Sequence, residues 1–222
     1  MAEHSYHQYC PVAHALDLVG DRWSLLILRN LLVGPKRFVD LQTGLPGIGT
    51  NILTVRLKGL EQSGVVQRRF LPPPAASMVY ELTEYGHQIE GPLTALAHWG
   101  AQSLGPLTSE QVIKPDAVIM AIHGWFRGEK RHYKKATYEI RSEDERFHDV
   151  FSVHVNGDMV EVAQGSVATP DVVIHLKVET LYALSARQVS LSASLARSDV
   201  FFEGEPQAIM PLINQMDAGV DV

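Results

Sequence analysis

One stretch of the chain, LPGIGTNILTVRLKGLEQSGVVQRRF at residues 45–70, combines a helical leucine spacing with side chains that can bind nucleic acid. Leu53, Leu57 and Leu60 recur at intervals of three and four residues, which is typical of the inward face of an amphipathic helix. The opposite face carries mostly short side chains, namely Thr50, Asn51, Thr54, Val55 and Lys58. Amide and hydroxyl groups can recognise base edges in a major groove, whereas a lysine pairs with phosphate.

Basic residues precede and follow this segment. Arg68 and Arg69 lie in the strand after it, where they can bind the sugar–phosphate backbone or enter a minor groove. Lys36 and Arg37 open the preceding helix, whose positive end attracts phosphate. The predicted DNA-binding residues are therefore Lys36, Arg37, Thr50, Asn51, Thr54, Val55, Lys58, Arg68 and Arg69.

A second group of reactive residue types lies near the N-terminus, in the pattern H-x-x-H-x-x-C-x-x-x-H formed by His4, His7, Cys10 and His14. These are ligand types at a spacing compatible with a metal ion. The alternative is a histidine-rich terminus beside a packing cysteine, and it is favoured because nothing else in the chain repeats the cluster. We therefore predict no metal and no cofactor.

The charge balance limits the classes of protein that fit. The formal charge is -6, but residues 1–105 contain 8 basic and 8 acidic residues, so the second part carries the whole excess. A neutral first part predicts few phosphate contacts and a shallow salt dependence of DNA binding. The sequence contains neither a long apolar run nor a basic start leading into one, so we expect no membrane span and no export signal. A single cysteine fits a reducing cytoplasm.

Apolar periodicity predicts a mainly helical first half. The predicted helices cover residues 12–19, 23–32, 37–43, 50–63 and 84–104, with Thr50 as an N-cap and a break at Gly91-Pro92. Strands are predicted at residues 65–71 and 78–82. Two helices joined by a Gly-containing turn, the second with a polar outer face and followed by a β-hairpin, indicate a winged helix-turn-helix.

After a predicted joint at residues 105–109, the periodicity changes. Strands are predicted at residues 118–126, 135–141, 150–155, 159–164, 172–176 and 200–203, and helices at 178–186, 190–197 and 206–216. Asn156-Gly157 is a strong hairpin signal. The predicted fold class is α+β, with a winged helix-turn-helix domain at 1–105 and an α+β domain at 106–222.

Several short motifs in the first half of the chain resemble those of a known protein family. These are Cys10-Pro11-Val12, the segment LVGDRWSLLILR at 18–29, Gly34-Pro35-Lys36-Arg37-Phe38, Leu45-Pro46-Gly47-Ile48 and YELTEYG at 80–86. In order and spacing they resemble the HxlR-type winged-helix transcriptional regulators. The resemblance implies a cytoplasmic regulator that forms a homodimer through the first and last helices of the domain. Such a dimer would bind an inverted repeat with reading helices about 34 Å apart.

The second half is similar in pattern to the sterol-carrier-protein fold. That fold implies a mostly antiparallel sheet backing a layer of helices, with an apolar tunnel for lipid-like ligands. The predicted apolar pocket consists of Leu181, Leu184, Leu191, Leu195, Phe201, Ile209, Met210 and Ile213. The alternative is that each of these residues packs in the hydrophobic core and contacts no ligand.

These observations predict a dimeric DNA-binding transcriptional regulator that is controlled by a hydrophobic small molecule bound in the second domain. We predict no enzymatic activity, because glycine-rich phosphate loops, nucleophile elbows and paired carboxylates are missing from the sequence. One alternative is a lipid-binding carrier or sequestering protein that retains a vestigial winged helix. Another is a thiol-switched regulator acting through Cys10, since some relatives of the HxlR type use an N-terminal cysteine in this way; an incidental thiol is the default.

Overall fold

The chain forms two compact units, residues 1–94 and residues 95–222. The computed structural model describes residues 5–126, 133–145 and 147–218. The boundary between the units lies at Thr94, within a helix, whereas the sequence predicts a joint at residues 105–109. The assignment of DNA binding to residues 1–105 and of ligand binding to residues 106–222 stays a prediction.

The first unit is a helical domain followed by a hairpin. Its helices are α1 (Pro11–Val19), α2 (Ser24–Leu32), α3 (Phe38–Gly44), α4 (Thr50–Gln62) and α5 (Glu84–His87). α6 (Glu90–Ala101) runs past the boundary between the units. The hairpin consists of β1 (Val66–Phe70) and β2 (Met78–Leu82), which pair antiparallel with Arg68 opposite Tyr80. The predicted helices and strands of this half are thus present, in the predicted order.

The core of the first unit encloses one face of α4. Leu53, Leu57 and Leu60 are almost completely buried, in one cluster with Leu28 of α2 and Leu41 of α3. Burial of this apolar surface is the main favourable term in holding α4 against α2 and α3. The predicted inward face of the helix is confirmed.

Asp21 ties the turn before α2 to α4. Its carboxylate accepts hydrogen bonds from the backbone N–H groups of Trp23 and Ser24, at 2.9 and 3.2 Å, and from the Ser24 hydroxyl. Its Oδ1 atom also lies 3.1 Å from Nε of Arg56 on α4. The Arg56 guanidinium therefore has a carboxylate partner within the first unit.

Two predicted details of the first unit are wrong. The N-cap of α4 is Gly49, and Thr50 is the first helical residue; the Thr50 hydroxyl instead accepts a hydrogen bond from Gln42. The helix after β2 breaks between His87 and Glu90, not at Gly91-Pro92. A proline in the first turn of α6 is compatible with helix, because the N–H groups of that turn have no acceptor within the helix.

The second unit contains a five-stranded sheet with the strand order β5-β4-β3-β6-β7. Its strands are β3 (Tyr133–Ser142), β4 (Val150–Gly157), β5 (Met159–Gln164), β6 (Val172–Leu176) and β7 (Val200–Gly204). Only the β3–β6 pairing within this sheet is parallel. The sheet is therefore mixed and mostly antiparallel, and the α+β class is confirmed.

Helices pack against this sheet. They are α7 (Pro115–Trp125), α8 (Val178–Ser185), α9 (Leu191–Ala196) and α10 (Pro206–Asp217). α7 contacts α8 and β5, and α10 contacts α9 and β3. Alternate residues of the central strands, such as Tyr138 and Ile140 opposite Val153 and Phe151, are buried apolar side chains.

The predicted strand at residues 118–126 is wrong, because this segment is α7. Pro115 occupies the first helical turn, and the buried residues Val118, Ile119, Ile122 and Trp125 follow a helical spacing. A short apolar run cannot be assigned to strand or helix by hydrophobicity alone, so the spacing and the proline decide. No helix in the described ranges is both long and apolar enough to cross a lipid bilayer.

We predict that Leu57→Ala lowers the free energy of unfolding of the first unit by about 2–5 kcal/mol, because it leaves a cavity in a closed core. Val55→Ala, on the opposite face of α4, should change it by less than about 0.5 kcal/mol. Urea unfolding followed by circular dichroism measures both. Equal losses for the two variants would contradict the observed rotation of α4.

Candidate nucleic-acid interface

The outward side of α4 forms a continuous stripe. Thr50, Asn51, Thr54, Val55 and Lys58 are all exposed, and we call these five residues the α4 outer face. Positions 51, 54, 55 and 58 follow the three- and four-residue spacing of one helical side, opposite the buried leucines. The structure therefore brings together the predicted residues of this helix.

The polar groups of the α4 outer face differ in how far they are already hydrogen-bonded. The Thr50 hydroxyl accepts from Nε2 of Gln42 at 2.8 Å, and the Thr54 hydroxyl donates to the backbone oxygen of Thr50 at 2.8 Å. Within the described parts of the chain, Asn51 and Lys58 have neither a hydrogen-bond nor an ion-pair partner for their side chains. Asn51 therefore keeps both its donor and its acceptor for a base, and Lys58 keeps its charge for phosphate.

The two arginines of the hairpin are each paired with a carboxylate. Nε of Arg68 donates to Oε1 of Glu61 at 2.8 Å, and Arg69 approaches Oε2 of Glu81 at 2.7 Å. The hydrogen bond and charge of Glu61 raise the pKa of Arg68, and those of Glu81 raise the pKa of Arg69. Arg69 in turn lowers the pKa of Glu81. Both guanidinium groups are half-exposed, so a phosphate can reach them, but it must compete with the carboxylate.

The residues at the start of α3 are also engaged. Lys36 pairs through its backbone N–H and C=O with Tyr80 of β2. Nε of Arg37 donates to the Ser77 hydroxyl at 3.1 Å, and its backbone N–H donates to Asp40. Because Asp40 stands in the first turn of α3, its negative charge offsets part of the attraction that this helix end has for phosphate.

Sequence reasoning missed the partners that set these properties: Gln42, Arg56, Glu61, Glu81 and Asp21. The sequence could have indicated one of these partners, because Glu61 lies on the last turn of α4, just before the strand that contains Arg68. Glu81 belongs to a strand that pairs across the hairpin, so the register of β1 against β2 is needed to find it.

The predicted apolar pocket residues of the second unit occupy different environments. Leu181, Leu184, Leu191 and Ile209 are buried, Leu195 and Ile213 are half-buried, and Phe201 and Met210 are exposed. A cavity of about 500 Å³ occurs in this unit, but none of the eight residues lines it. Whether they bind a ligand stays a prediction.

Cys10 is half-buried at the N-cap of α1, and its role as a thiol switch stays a prediction. Of the histidines near it, His4 lies outside the described residues. Across the described ranges, no three His, Cys, Asp or Glu side chains are grouped so that they could hold a metal ion.

The arrangement of α3, α4 and the hairpin defines a winged helix-turn-helix protein. Residues 18–108 match the HxlR-like helix-turn-helix family. The uncharacterized HTH-type transcriptional regulator sll1512 of a Synechocystis strain is 38% identical over 95 residues, which cover 43% of this chain and 70% of that protein. The HTH-type transcriptional regulator YodB of Bacillus subtilis is 37% identical over 98 residues, which cover 44% and 88%. The chain belongs to the HxlR family of transcriptional regulators.

Solved structures include similar chains. The reduced form of YodB from B. subtilis is 35% identical and covers 46% of this chain and 100% of its own, with a TM-score of 0.39. The reduced form of the redox regulator HypR is 29% identical and covers 43% and 94%, with a TM-score of 0.40. The relatives in the sequence comparison are transcriptional regulators and not enzymes, as predicted.

We predict that the double variant Glu61→Gln, Glu81→Gln binds DNA more tightly than the natural chain, because both hairpin arginines lose the carboxylate that competes with phosphate. The slope of log affinity against log salt should steepen by about 0.9 for each arginine that gains a phosphate contact. Gel shifts across a salt series measure both quantities. Glu84→Gln, which removes an exposed carboxylate that pairs with no arginine in the described part of the chain, is the matched control. An unchanged slope in the double variant would mean that the hairpin arginines do not contact DNA.

Proposed function

We propose that the α4 outer face binds in the major groove of duplex DNA and recognises base edges, so that the protein regulates transcription at an operator. The observation that carries this proposal is the exposed amide of Asn51, which lies opposite the buried leucines of α4 and has no hydrogen-bond partner among the described residues. An α-helix with its side chains is about 10–12 Å across, which matches the width of a major groove of about 12 Å, and the 13 residues of α4 extend about 20 Å along it.

Each residue of the α4 outer face has a chemistry suited to one feature of the duplex. The Asn51 amide can form paired hydrogen bonds to an adenine edge. Val55 offers a methyl surface for the methyl group of thymine, and Thr54, whose proton is held by Thr50, offers an acceptor and a methyl group. Lys58 provides a charge for phosphate. Arg37, Arg68 and Arg69 add contacts to the sugar–phosphate backbone where DNA displaces their present side-chain partners, and Lys36 adds its positive charge beside them.

We predict that Asn51→Ala weakens binding to the specific operator by about 1–3 kcal/mol and leaves binding to unrelated DNA nearly unchanged. Lys58→Ala should instead weaken both kinds of binding and reduce the salt slope by about 1. Gel shifts with DNA from upstream of the protein's own gene, and with a scrambled duplex, separate the two effects.

Lys135→Ala, an exposed charge change in the second unit, is the control for Lys58→Ala. If Asn51→Ala weakens specific and unrelated DNA equally, Asn51 does not recognise a base. If it weakens neither, α4 is not the recognition helix.

We propose further that the protein acts as a homodimer in the cytoplasm. The support is α6, which has apolar side chains but no buried residue: Trp99 is 70% exposed, and Leu96 and Leu104 nearby are also exposed. Val12 and Leu16 on α1 are exposed as well. Single exposed apolar residues are common, but several on one helix that buries none of its described residues favour an interface. Two copies would then present two α4 helices to an inverted repeat.

We predict that Trp99→Asp raises the dissociation constant of the dimer by at least about tenfold, because an aromatic anchor is replaced with a charge that loses its water on association. Sedimentation equilibrium measures the constant. Met159→Asp, at an exposed methionine of β5, should leave it unchanged. A Trp99→Asp chain that associates like the natural one would exclude α6 from the interface.

For the second unit we propose a sterol-carrier-like ligand-binding domain that controls DNA binding through a hydrophobic small molecule. The mostly antiparallel five-stranded sheet with helices packed against it supports this fold assignment. A ligand changes DNA affinity only if it binds two arrangements of the protein with different affinity. The rival, a lipid carrier with a vestigial winged helix, predicts ligand binding but no gel shift, so the same DNA measurements separate the two.

A further inference from the structure

The second unit contains a cavity of about 500 Å³ whose walls are the segment of residues 101–113 on one side and α8 with Gln188 on the other. Ligand sites for small molecules commonly measure about 300–1,000 Å³. The cavity is not the tunnel expected from the sterol-carrier resemblance, because the residues predicted for that tunnel lie elsewhere in the unit.

The walls are largely apolar. Leu104 is 54% exposed and Val112 is 65% exposed, although both are aliphatic, and Val178 and Ala183 of α8 complete the apolar surface. Exposed aliphatic side chains that face a common concave space gain free energy when an apolar guest removes them from water. The walls therefore fit a hydrocarbon group.

Glu179 gives the cavity its charge. Among the described residues that line it, Glu179 alone has a formal charge, and its carboxylate lies in the first turn of α8, where the positive helix end stabilises an anion. Its Oε1 atom accepts a hydrogen bond from the backbone N–H of Leu107 at 2.7 Å. This hydrogen bond links the segment of residues 101–113 to α8. In the described parts of the chain, Oε2 has no partner, so the carboxylate can accept further donors.

A cavity with apolar walls and one negative charge favours a ligand that has both a hydrocarbon group and a positive charge. We propose that this cavity binds an apolar amine, with its cationic nitrogen at the Glu179 carboxylate and its hydrocarbon group against Leu104, Leu107 and Val112. The proposal rests on the proposed function of the second unit as a ligand-binding domain, and it names the site and the class of ligand. Fatty acids are disfavoured there, because their carboxylate would lie beside that of Glu179.

The position of the cavity suggests how a bound amine would act on the rest of the chain. The wall of residues 101–113 begins at the last residue of α6, the helix proposed to form the dimer interface. An amine that bridges this wall and α8 favours the arrangement in which the two are joined. DNA affinity changes to the extent that the dimer prefers that arrangement.

The test uses the whole 222-residue chain and three ten-carbon probes that differ in the head group: decylammonium, 1-decanol and decanoate. Titration calorimetry should give one decylammonium per chain, with affinity at least about tenfold higher than for decanoate, because a charged hydrogen bond is gained in one case and charge repulsion in the other. Glu179→Gln should reduce the affinity for decylammonium by about tenfold and leave that for 1-decanol nearly unchanged. The amide oxygen of glutamine can still accept from Leu107, so the wall stays attached.

Two further variants test whether the probes bind in this cavity and whether the effect of Glu179→Gln is specific. Ala183→Phe fills the cavity and should remove binding of all three probes, while circular dichroism confirms the fold. Glu161→Gln, an exposed carboxylate on β5, is the matched charge control and should bind like the natural chain. Equal affinity for the three head groups, or Ala183→Phe binding decylammonium as tightly as the natural chain, would overturn the proposal.

Gel shifts with and without decylammonium separate this proposal from the proposed function. Amine binding that depends on Glu179 without any change in DNA affinity would retain the site and refute control by the second unit. A change in DNA affinity that persists in Ala183→Phe would support ligand control and refute this cavity as its site.

Discussion

The burial of Leu53, Leu57 and Leu60 is the constraint on which the nucleic-acid interface depends. A helix turns by about 100° per residue, so three buried leucines determine the rotation of α4 about its axis. Asn51 and Lys58 then face outward because no other orientation buries the leucines. The Asp21–Arg56 ion pair adds a second attachment between the start of α2 and α4. The outward position of the proposed recognition surface is therefore a consequence of core packing.

Several basic side chains around this surface are paired with carboxylates. Arg56, Arg68 and Arg69 each have a carboxylate partner within the first unit. Such exposed pairs are individually weak and can be exchanged for phosphate, but each exchange releases a carboxylate near the DNA. In the proposed complex, base contacts and the pairing of two copies would then supply most of the affinity. This balance favours sequence discrimination over general attraction to DNA.

The second unit combines a buried sheet core with an apolar concave surface that is open to solvent. The core is already buried and contributes to the stability of the fold. The exposed aliphatic walls of the cavity are still in water, so covering them with a bound ligand is favourable. Glu179 serves both sides of this arrangement, since it holds the segment after α6 through Leu107 and offers a negative charge to the cavity. Ligand binding and the attachment of that segment thus depend on the same carboxylate.

The amino-acid sequence alone determined the winged helix-turn-helix, the inward leucines, the outward Asn51 and Lys58 and most strands of the second unit. These follow from periodicity and turn residues, which act over a few neighbouring positions. The sequence predicts a strand at residues 118–126, which is wrong because a short apolar run fits either period. Only the tertiary structure decided the pairing of Arg69 with Glu81 and the lining of the cavity near Glu179. Both depend on side chains from separate elements that meet only when strand register and helix packing are established.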